Sequence, residues 1–385
     1  ILIDKAITLN GNGMTITSKA ARGINVNCAG NVVIENLTIT AAGERAINVI
    51  QGATNLTLDN VTATAANYTV NIASSAPNAV VTIKNSTLNG LCTVNVSAAG
   101  AKVTVDNSII NCNDNNTTVG EAYAALSLNR EAVGGSIVAT NTTINVAEGS
   151  DSCKGRNGAE NGTVTINGST EDVLVIVAVI TYEGSNYYHS FASLAEAIEF
   201  AKAGDVITLI RDITASQIIT IDKTITLDGN GHKLTSTAAR AINIDTTGKV
   251  VINDLTINAG ERAINIINKA STVELNNVTA TAKNNAVMIA TTAGAAKLTI
   301  NDSDLTGLAV VSVYGEGADV AIKNTNITNV DANKNENYGA ITVGDTAENA
   351  KVTVTGGNIT VADDSKKAYV FAPTATVEGV DEIGY

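Results

Sequence analysis

The chain has 385 residues and a net charge of −13, and 44% of its residues are hydrophobic although aromatics contribute only 3%. An acidic chain repels phosphate backbones, so composition argues against nucleic-acid binding. No run of about 18 apolar residues occurs, so no membrane span is predicted. Abundant small β-branched residues, Thr, Asn and Gly, with only 2 prolines, favour strands joined by tight turns.

The first half repeats a short phrase in which an alternating apolar strand is followed by an asparagine and then by another strand. The copies read VVIENLTIT (32–40), LTLDNVTAT (56–64), VTIKNSTLN (81–89), VTVDNSIIN (103–111) and IVATNTTIN (137–145). An element such as INVN or INVI precedes each copy. Each unit of about 22–25 residues therefore holds three short strands, and stacking the units would bury one continuous core. The apolar period of two excludes helical repeats.

The asparagines of these phrases recur at one point of the unit. This pattern resembles the asparagine ladder of the right-handed parallel β-helix, the pectin-lyase-like superfold. Stacked amides hydrogen-bond one another and the turn backbone, and we expect these bonds to point inward. The resemblance implies an all-β fold of two tandem right-handed parallel β-helix copies. The predicted ladder residues are Asn36, Asn60, Asn85, Asn107, Asn141, Asn277 and Asn324.

A longer duplication covers both halves. Residues 3–40 align without a gap with residues 221–258, and 23 of the 38 positions are identical. We therefore expect two domains, a first copy at 1–180 and a second at 181–385. The first copy begins in mid-rung at Ile1, from which we expect a processed or trimmed chain, a longer precursor and a signal peptide outside this sequence.

The joint between the copies differs from the rungs. YEGSNYY (182–188) reads as a hairpin turn, and residues 193–203 read as a short capping helix. Ser193 and Glu196 form a capping-box pair, and Gly204 suits the helix end. An open β-helix end needs a cover, so this helix is predicted to be the lid of the second copy. Such a helix followed by tandem rungs resembles large exported surface proteins of bacteria.

Arginines are the most distinctive candidates for a ligand site. Arg22 and Arg45 occupy the same rung position, two residues before the Ile of the INV element, and Arg240 and Arg262 repeat this in the second copy. Guanidiniums on adjacent rungs repel unless an anion lies between them. That anion is either the adjacent Glu44 and Glu261, aided by turn carbonyls, or a carboxylate-bearing ligand such as a uronic acid. Simple alternation would point these arginines inward, so we expect the strand to begin after them.

Other candidates carry weaker signals. His189 and His232 lack companions and read as surface or turn residues. The insertions 113–116 and 331–337 are acidic enough for calcium but lack the spacing of a calcium loop, so no cofactor is predicted. The cysteines show no metal-type spacing and read as free, mostly buried thiols, with a Cys112–Cys153 disulfide as the alternative: Cys28, Cys92, Cys112 and Cys153.

No catalytic constellation stands out, and the carboxylates Asp59 and Asp106 lie at variable turn positions. The sequence favours a non-catalytic, exported surface, adhesion or structural β-helix that contacts glycans or other surface proteins and is monomeric. The resemblance leaves two alternatives open, a divergent polysaccharide lyase or glycosidase acting on acidic glycans, and a carbohydrate-binding module. Columns of outward threonines, such as Thr38 and Thr40, are typical of solvent-facing strands and also of ice-binding β-helices.

Overall fold

The computed structural model describes residues 1–118, 120–182, 188–330, 339–362, 370–371, 376–378 and 383–384. The chain divides into two compact units, one comprising Ile1–Ile176 with His189–Ala192 and the other Val177–Tyr188 with Ser193–Tyr385. Each unit is a stack of rungs whose strands pair in parallel with the same strands of neighbouring rungs. The predicted all-β parallel β-helix is therefore confirmed. No helix in the described part is long and apolar enough to cross a membrane.

Each rung passes through three strand positions, which we name sheets I, II and III. In unit 1, sheet I contains the strands Leu2–Ile3, Arg22–Val26, Arg45–Val49, Tyr68–Ile72, Cys92–Val96, Ala124–Leu128, Cys153–Asn157 and Val173–Val175. Sheets II and III are joined through the continuous strands Asn31–Ala41 and Asn55–Ala65. Their other strands are Ile7–Asn10, Thr15–Ser18, Val80–Lys84, Thr87–Gly90, Lys102–Asp106, Ile109–Cys112, Ser136–Thr140, Thr143–Val146 and Thr163–Ile166.

Unit 2 repeats this plan. Its sheet I contains Ile219–Ile221, Arg240–Ile244, Arg262–Ile266, Asn285–Ile289, Val311–Val313, Ile341–Val343, Val370–Phe371 and Ile383–Gly384. Sheet II contains Val206–Leu209, Ile225–Asp228, Lys249–Asn253, Thr272–Asn276, Lys297–Asn301, Asp319–Lys323, Lys351–Thr355 and Thr376–Glu378, with Ala178–Thr181 antiparallel to the first of these. Sheet III contains Ile213–Ala215, Lys233–Ser236, Thr256–Ala259, Thr279–Ala282, Asp304–Gly307, Asn326–Asn329 and Ile359–Thr360. A further strand spans Tyr188–Phe191.

The core of each unit is a set of stacked aliphatic columns. In sheet I of unit 1, Ile24 pairs in register with Ile47, and Ile47 with Val70, and all three are fully buried. Rungs of a parallel stack lie about 4.8 Å apart, so identical side chains meet directly above one another. Short aliphatic side chains suit this repeat, which is why the core needs so few aromatics.

The capping helix spans Leu194–Phe200, shorter than the predicted 193–203. Ser193 Oγ accepts a hydrogen bond from the Glu196 backbone N–H at 3.1 Å, and Glu196 Oε2 accepts one from the Ser193 N–H at 3.1 Å, which confirms the capping box. The helix packs on strands Ala178–Thr181 and Ile219–Ile221 of its own unit. Lys223 Nζ donates to the carbonyl of Ala201 at 3.2 Å and so satisfies the helix end. The predicted hairpin turn lies largely outside the described residues.

The predicted asparagine ladder stands at the corner between sheets II and III. All seven predicted residues adopt positive φ angles between 45° and 53°, as does Asp254, which takes the ladder position in unit 2. Asn60 Nδ2 donates to Asn36 Oδ1 at 2.8 Å, and Asn107 Nδ2 donates to Asn85 Oδ1 at 2.8 Å. The ladder is therefore present.

The expected inward direction of these ladder bonds is wrong. Asn60 and Asn107 are exposed, because a corner residue at positive φ directs its side chain away from the core. The residue that follows the asparagine faces inward instead. Ser86 Oγ accepts a hydrogen bond from the Val61 N–H at 3.0 Å, and Ser108 Oγ accepts one from the Ser86 N–H at 3.1 Å. Buried hydroxyls thus satisfy the corner backbone.

Candidate functional site: the arginine columns of sheet I

The four predicted arginines lie on sheet I in two stacked pairs. Arg22 pairs in register with Arg45 in unit 1, and Arg240 pairs with Arg262 in unit 2. Their Cα positions are therefore one rung apart, about 4.8 Å. Arg22 is exposed and the other three are half-buried. The structure brings each predicted pair together.

The arginines belong to the strand, contrary to the prediction that the strand begins after them. The register joins Arg22 to Arg45 and Ile24 to Ile47, with Gly23 and Ala46 between them. Ala46 is fully buried, and a Cβ added to Gly23 would lie 3.4 Å from the core side chain of Ile39. Two consecutive residues therefore face the core, and this break in alternation lets the arginine leave it.

The adjacent glutamates do not neutralise these arginines. No ion pair joins an arginine of the columns to a carboxylate in the described part of the chain, so the expected pairing is wrong. Glu44 is exposed. Glu261 instead accepts a hydrogen bond from Asn284 Nδ2 and lies 3.7 Å from Lys283 Nζ. Glu44 and Glu261 lie in the bends that precede the strands, so adjacency in sequence does not place either carboxylate against the arginine that follows it.

The guanidinium of Arg45 contacts two neutral side chains. Its Nη1 donates to Asn48 Oδ1 at a long 3.5 Å, and its guanidinium carbon lies 5.7 Å from the centroid of the Tyr68 ring, within cation–π range. Its Nε is buried and has no hydrogen-bond partner among the described residues. Arg262 has a similar neutral neighbour, Asn285, whose Oδ1 accepts from Arg262 Nε at 3.4 Å. Both arginines thus keep uncompensated positive charge.

A second asparagine ladder, which the sequence reading missed, lies beside the arginine column of unit 1. Asn48 Nδ2 donates to Asn25 Oδ1 at 2.9 Å, Asn71 to Asn48 at 2.8 Å, Asn95 to Asn71 at 2.8 Å and Asn129 to Asn95 at 3.0 Å. Asn48 is fully buried, and Asn71 is 4% exposed. These five asparagines form what we name the inner ladder, which holds the Asn48 side chain in place beside Arg45. The repeated Asn of the INV elements was the signal that could have revealed it.

Two tyrosines continue the column above Arg45. Tyr68 is the register partner of Arg45 on the next rung, and its ring meets that of Tyr123 edge to face, with centroids 6.1 Å apart. Burial raises the pKa of Tyr68 well above its ordinary value, with a smaller contribution from Tyr123. The hydroxyl therefore stays neutral at physiological pH and is a poor proton acceptor in this state.

Arg156 lies further along sheet I, on the strand paired with Ala124–Leu128. Its Nη2 donates to the Ala122 carbonyl at 2.5 Å, and its buried Nε has no hydrogen-bond partner in the described part.

Cys153 lies on the same strand as Arg156. Burial raises the pKa values of Cys92, Cys112 and Cys153, so these groups are neutral thiols near pH 7. All four cysteines are free, and three of them are buried.

The possible calcium loop at 113–116 is built around a carboxylate that is already engaged. Asp114 Oδ2 accepts from the Tyr123 N–H at 2.6 Å and from Ser152 Oγ at 3.3 Å, and its Oδ1 accepts from the Asn116 N–H at 3.1 Å. The second possible loop, 331–337, lies outside the described residues. No group of three or more His, Cys, Asp or Glu residues that could hold a metal ion occurs in the described part.

Neither histidine belongs to a strand that carries one of the four arginines. His189 is 5% exposed, so its prediction as a surface or turn residue is wrong. His232 lies in a turn, as predicted, with Nδ1 3.4 Å from Asp212 Oδ1. Asp59, which the sequence placed at a solvated turn, forms a 3.0 Å ion pair with Lys84.

No protein-family model matches the chain, and no curated protein matches it. Solved structures do match. SacteLam55A from Streptomyces sp. SirexAA-E is 9% identical, with a TM-score of 0.31, over 97% of this chain and 84% of that chain. The PL6 family alginate lyase AlyGC is 10% identical, with a TM-score of 0.27, over 99% and 95%. The tailspike protein of E. coli bacteriophage HK620, solved with a hexasaccharide, is 9% identical, with a TM-score of 0.20, over 98% and 69%. All three TM-scores lie below 0.5, so the function is argued from this chain's own residues.

Proposed function

We propose that this chain is a non-catalytic, exported surface or adhesion β-helix whose arginine columns bind carboxylate-bearing glycans such as uronic-acid chains. One observation carries the proposal. Both units place two arginines on adjacent rungs of sheet I, and none of the four has a carboxylate partner in the described part of the chain. Like charges held one rung apart are unfavourable unless an anion is shared between them.

A carboxylate is the anion that fits this geometry. A guanidinium presents parallel N–H donors that match the two oxygens of a carboxylate, so one carboxylate bridging Arg22 and Arg45 would receive charge-assisted hydrogen bonds from both rungs. The neutral Tyr68 ring beside Arg45 offers an apolar face to the sugar that carries it. The inner asparagine ladder supports Arg45 from the other side through Asn48.

The groups beside Arg45 favour binding over cleavage. Glycan cleavage needs a positioned proton acceptor beside the reacting carbon. The groups next to Arg45 are a carboxamide and a tyrosine whose pKa is raised by burial, and neither is a proton acceptor near pH 7. The resemblance of the Ser193 helix and the rungs that follow to exported bacterial surface proteins supports an extracellular, monomeric role with glycans or surface proteins as partners.

The test is binding of oligogalacturonate, measured by isothermal titration calorimetry at low and high salt. Arg22→Gln/Arg45→Gln should weaken binding about tenfold or more, since hydrogen bonds to charged groups contribute about 1.5–3 kcal/mol each. Higher salt should also weaken it, because exposed charges are screened. The matched control is Lys84→Gln/Arg130→Gln, which removes two positive charges from unit 1 away from the column.

Three results would contradict the proposal. Equal losses in the column variant and the control would show that only net charge matters. If no acidic glycan on a glycan array bound the chain, the proposed binding role would be wrong. Release of an unsaturated uronide, followed by ultraviolet absorbance, would show a lyase, and its loss in Arg45→Ala would place the lyase site at the column.

A further inference from the structure

The inner ladder of unit 1 has a counterpart in unit 2, and this counterpart is interrupted. Asn265 takes the place of Asn48 in the duplicated sequence, and its Nδ2 donates to Asn243 Oδ1 at 3.0 Å. The register partner of Asn265 on the following rung is Met288. In unit 1 the corresponding partner of Asn48 is Asn71. A thioether has no N–H or O–H to donate, so the chain of amide hydrogen bonds ends at Asn265.

The interruption leaves a buried acceptor without a donor. Asn265 is 2% exposed, and its Oδ1 has no hydrogen-bond partner among the described residues. Because the Nδ2 of this carboxamide points to the rung of Asn243, the Oδ1 points to the rung of Met288. Reversing the carboxamide would bring two carbonyl oxygens together, so the hydrogen bond fixes this direction. A buried carbonyl left unpaired is unfavourable, and a donor placed against it would be stabilised.

The matching acceptor in unit 1 is fully used. Asn48 Oδ1 accepts from Asn71 Nδ2 at 2.8 Å and from Arg45 Nη1 at 3.5 Å. In unit 2 the arginine turns instead to the following rung, where Arg262 Nε donates to Asn285 Oδ1 at 3.4 Å. The two columns therefore share their arginines and differ in the acceptor that lies beside them.

The two residues on the rung that follows Asn265 differ in their freedom to move. Asn285 is buried, and its Nδ2 donates to the Ala309 carbonyl at 2.8 Å and to Ser312 Oγ at 2.9 Å, which holds this side chain in place. Met288 is only half-buried, and an unbranched thioether changes its side-chain conformation easily. Rotation of Met288 is therefore the route by which a ligand reaches Asn265 Oδ1.

We propose that the Arg240–Arg262 column is a site for hydroxylated carboxylates. The carboxylate binds the arginines, and a ligand hydroxyl donates to Asn265 Oδ1 after Met288 moves aside. This inference rests on the proposed role of the arginine columns as carboxylate sites and adds the group that selects among carboxylates. A uronic acid has both functions, because its ring carries hydroxyls close to the carboxylate.

The unpaired acceptor makes the site selective. A site that accepts a hydrogen bond from a ligand hydroxyl rejects the analogue without the hydroxyl, because the buried acceptor then stays unpaired. The Arg22–Arg45 column does not make this distinction, since the acceptor beside it is already occupied by Asn71.

The test compares two dicarboxylates of equal charge at pH 7, tartrate, which carries hydroxyls, and succinate, which carries none. The chain contains 2 methionines, so labelling the methionine methyl groups with carbon-13 gives an NMR spectrum with one signal for each. Met288 reports on the site, and Met14, which is 69% exposed in unit 1, is the internal control. Tartrate should shift the Met288 signal and leave the Met14 signal in place. Succinate should reach the same shift only at a concentration about tenfold higher or more.

Substitutions of the arginine and of the acceptor separate their contributions. Arg262→Gln should weaken the binding of both dicarboxylates, whereas the matched control Lys297→Gln, which removes one positive charge from sheet II of unit 2, should not. Asn265→Leu removes the acceptor at nearly constant volume, so tartrate and succinate should then titrate the Met288 signal alike.

A second variant keeps the test decisive if Asn265→Leu fails to fold. Met288→Asn supplies the donor that Asn71 provides in unit 1, so the preference for tartrate should disappear. This variant is made in the Arg22→Gln/Arg45→Gln chain, so that saturation transfer to the ligand reports on the unit 2 column.

An unmoved Met288 signal with tartrate at millimolar concentration would overturn the inference, as would equal titrations with tartrate and succinate. A preference for tartrate that persists in Asn265→Leu or in Met288→Asn would also overturn it, because the hydroxyl would then lie elsewhere. Oligogalacturonate binding that depends on Arg22 and Arg45 can survive each of these results, so such a failure leaves the proposed function standing. Tartrate binding at Met288 without oligogalacturonate binding would support the hydroxy-carboxylate site and overturn only the glycan role.

Discussion

Replacing Asn71 by alanine tests whether the inner ladder or the outer ladder stabilises the stack. Asn71 is 4% exposed, donates to Asn48 Oδ1 at 2.8 Å and accepts from Asn95 Nδ2 at 2.8 Å. Two lost hydrogen bonds cost about 1 kcal/mol each, and a buried group left unpaired costs about 1–3 kcal/mol more. Asn71→Ala should therefore lower the free energy of unfolding by about 3 kcal/mol.

The measurement is urea-induced unfolding followed by circular dichroism. With a slope of about 3 kcal/mol per molar urea, the midpoint should fall by about 1 M. The matched control is Asn60→Gly, which removes one exposed ladder bond and keeps the φ of 53°. Its free energy of unfolding should change by less than about 1 kcal/mol. An unchanged midpoint for Asn71→Ala, or a larger shift for Asn60→Gly, would refute the inner ladder as the stabilising element.

Two further predictions concern the helix and the thiols. Ser193→Ala removes the acceptor of the Glu196 N–H and should lower the free energy of unfolding by about 1 kcal/mol, seen by calorimetry as a lower Tm. Ser193→Asp should retain the cap and the Tm. Equal Tm values for the unaltered chain and both variants would contradict this prediction. Burial raises the pKa values of the Cys92, Cys112 and Cys153 thiols. The stabilisation that these thiols contribute is therefore complete below about pH 8.5, the pKa of an unfolded thiol. It is lost as the pH rises above this value, because the thiols of the unfolded chain then deprotonate first. Unfolding midpoints measured between pH 7 and pH 10 should fall less steeply in Cys92→Ala, and parallel curves would argue against this.

The fold was predictable because each rung is a local unit that repeats. Alternation of apolar residues gives the strands, and the return of Asn36, Asn60 and Asn85 gives the corners. The direction in which the ladder side chains point was not predictable, since asparagines can stack at a corner whether they point toward the core or away from it. Its positive φ decides the matter, and the burial of the following Ser86 and Ser108 is the sequence signal that agrees with it.

The candidate site was predictable in position but not in its contacts. The shared register of Arg22 and Arg45 followed from the repeat. Their separation from acidic partners did not, because adjacency in sequence suggested Glu44 as a partner, whereas Glu44 is exposed in the bend that precedes the strand. The burial of Asn48 was also not predicted, because an Asn between two core residues of a strand is expected to face solvent. In the structure Asn48 is fully buried and accepts a hydrogen bond from Arg45.

Unequal rung lengths have a consequence for how such a chain can change. Val94 pairs with Leu126, a separation of 126 − 94 = 32 residues, whereas Val70 pairs with Val94, a separation of 94 − 70 = 24. The longer connection, between Cys112 and Ala124, leaves the register of both neighbouring strands intact. Because closing a longer loop costs free energy only logarithmically, a corner can accept additional residues while the stack below and above it keeps its geometry. New recognition loops could therefore be gained one corner at a time, and peptide epitopes inserted at this corner should be displayed without redesign of the core.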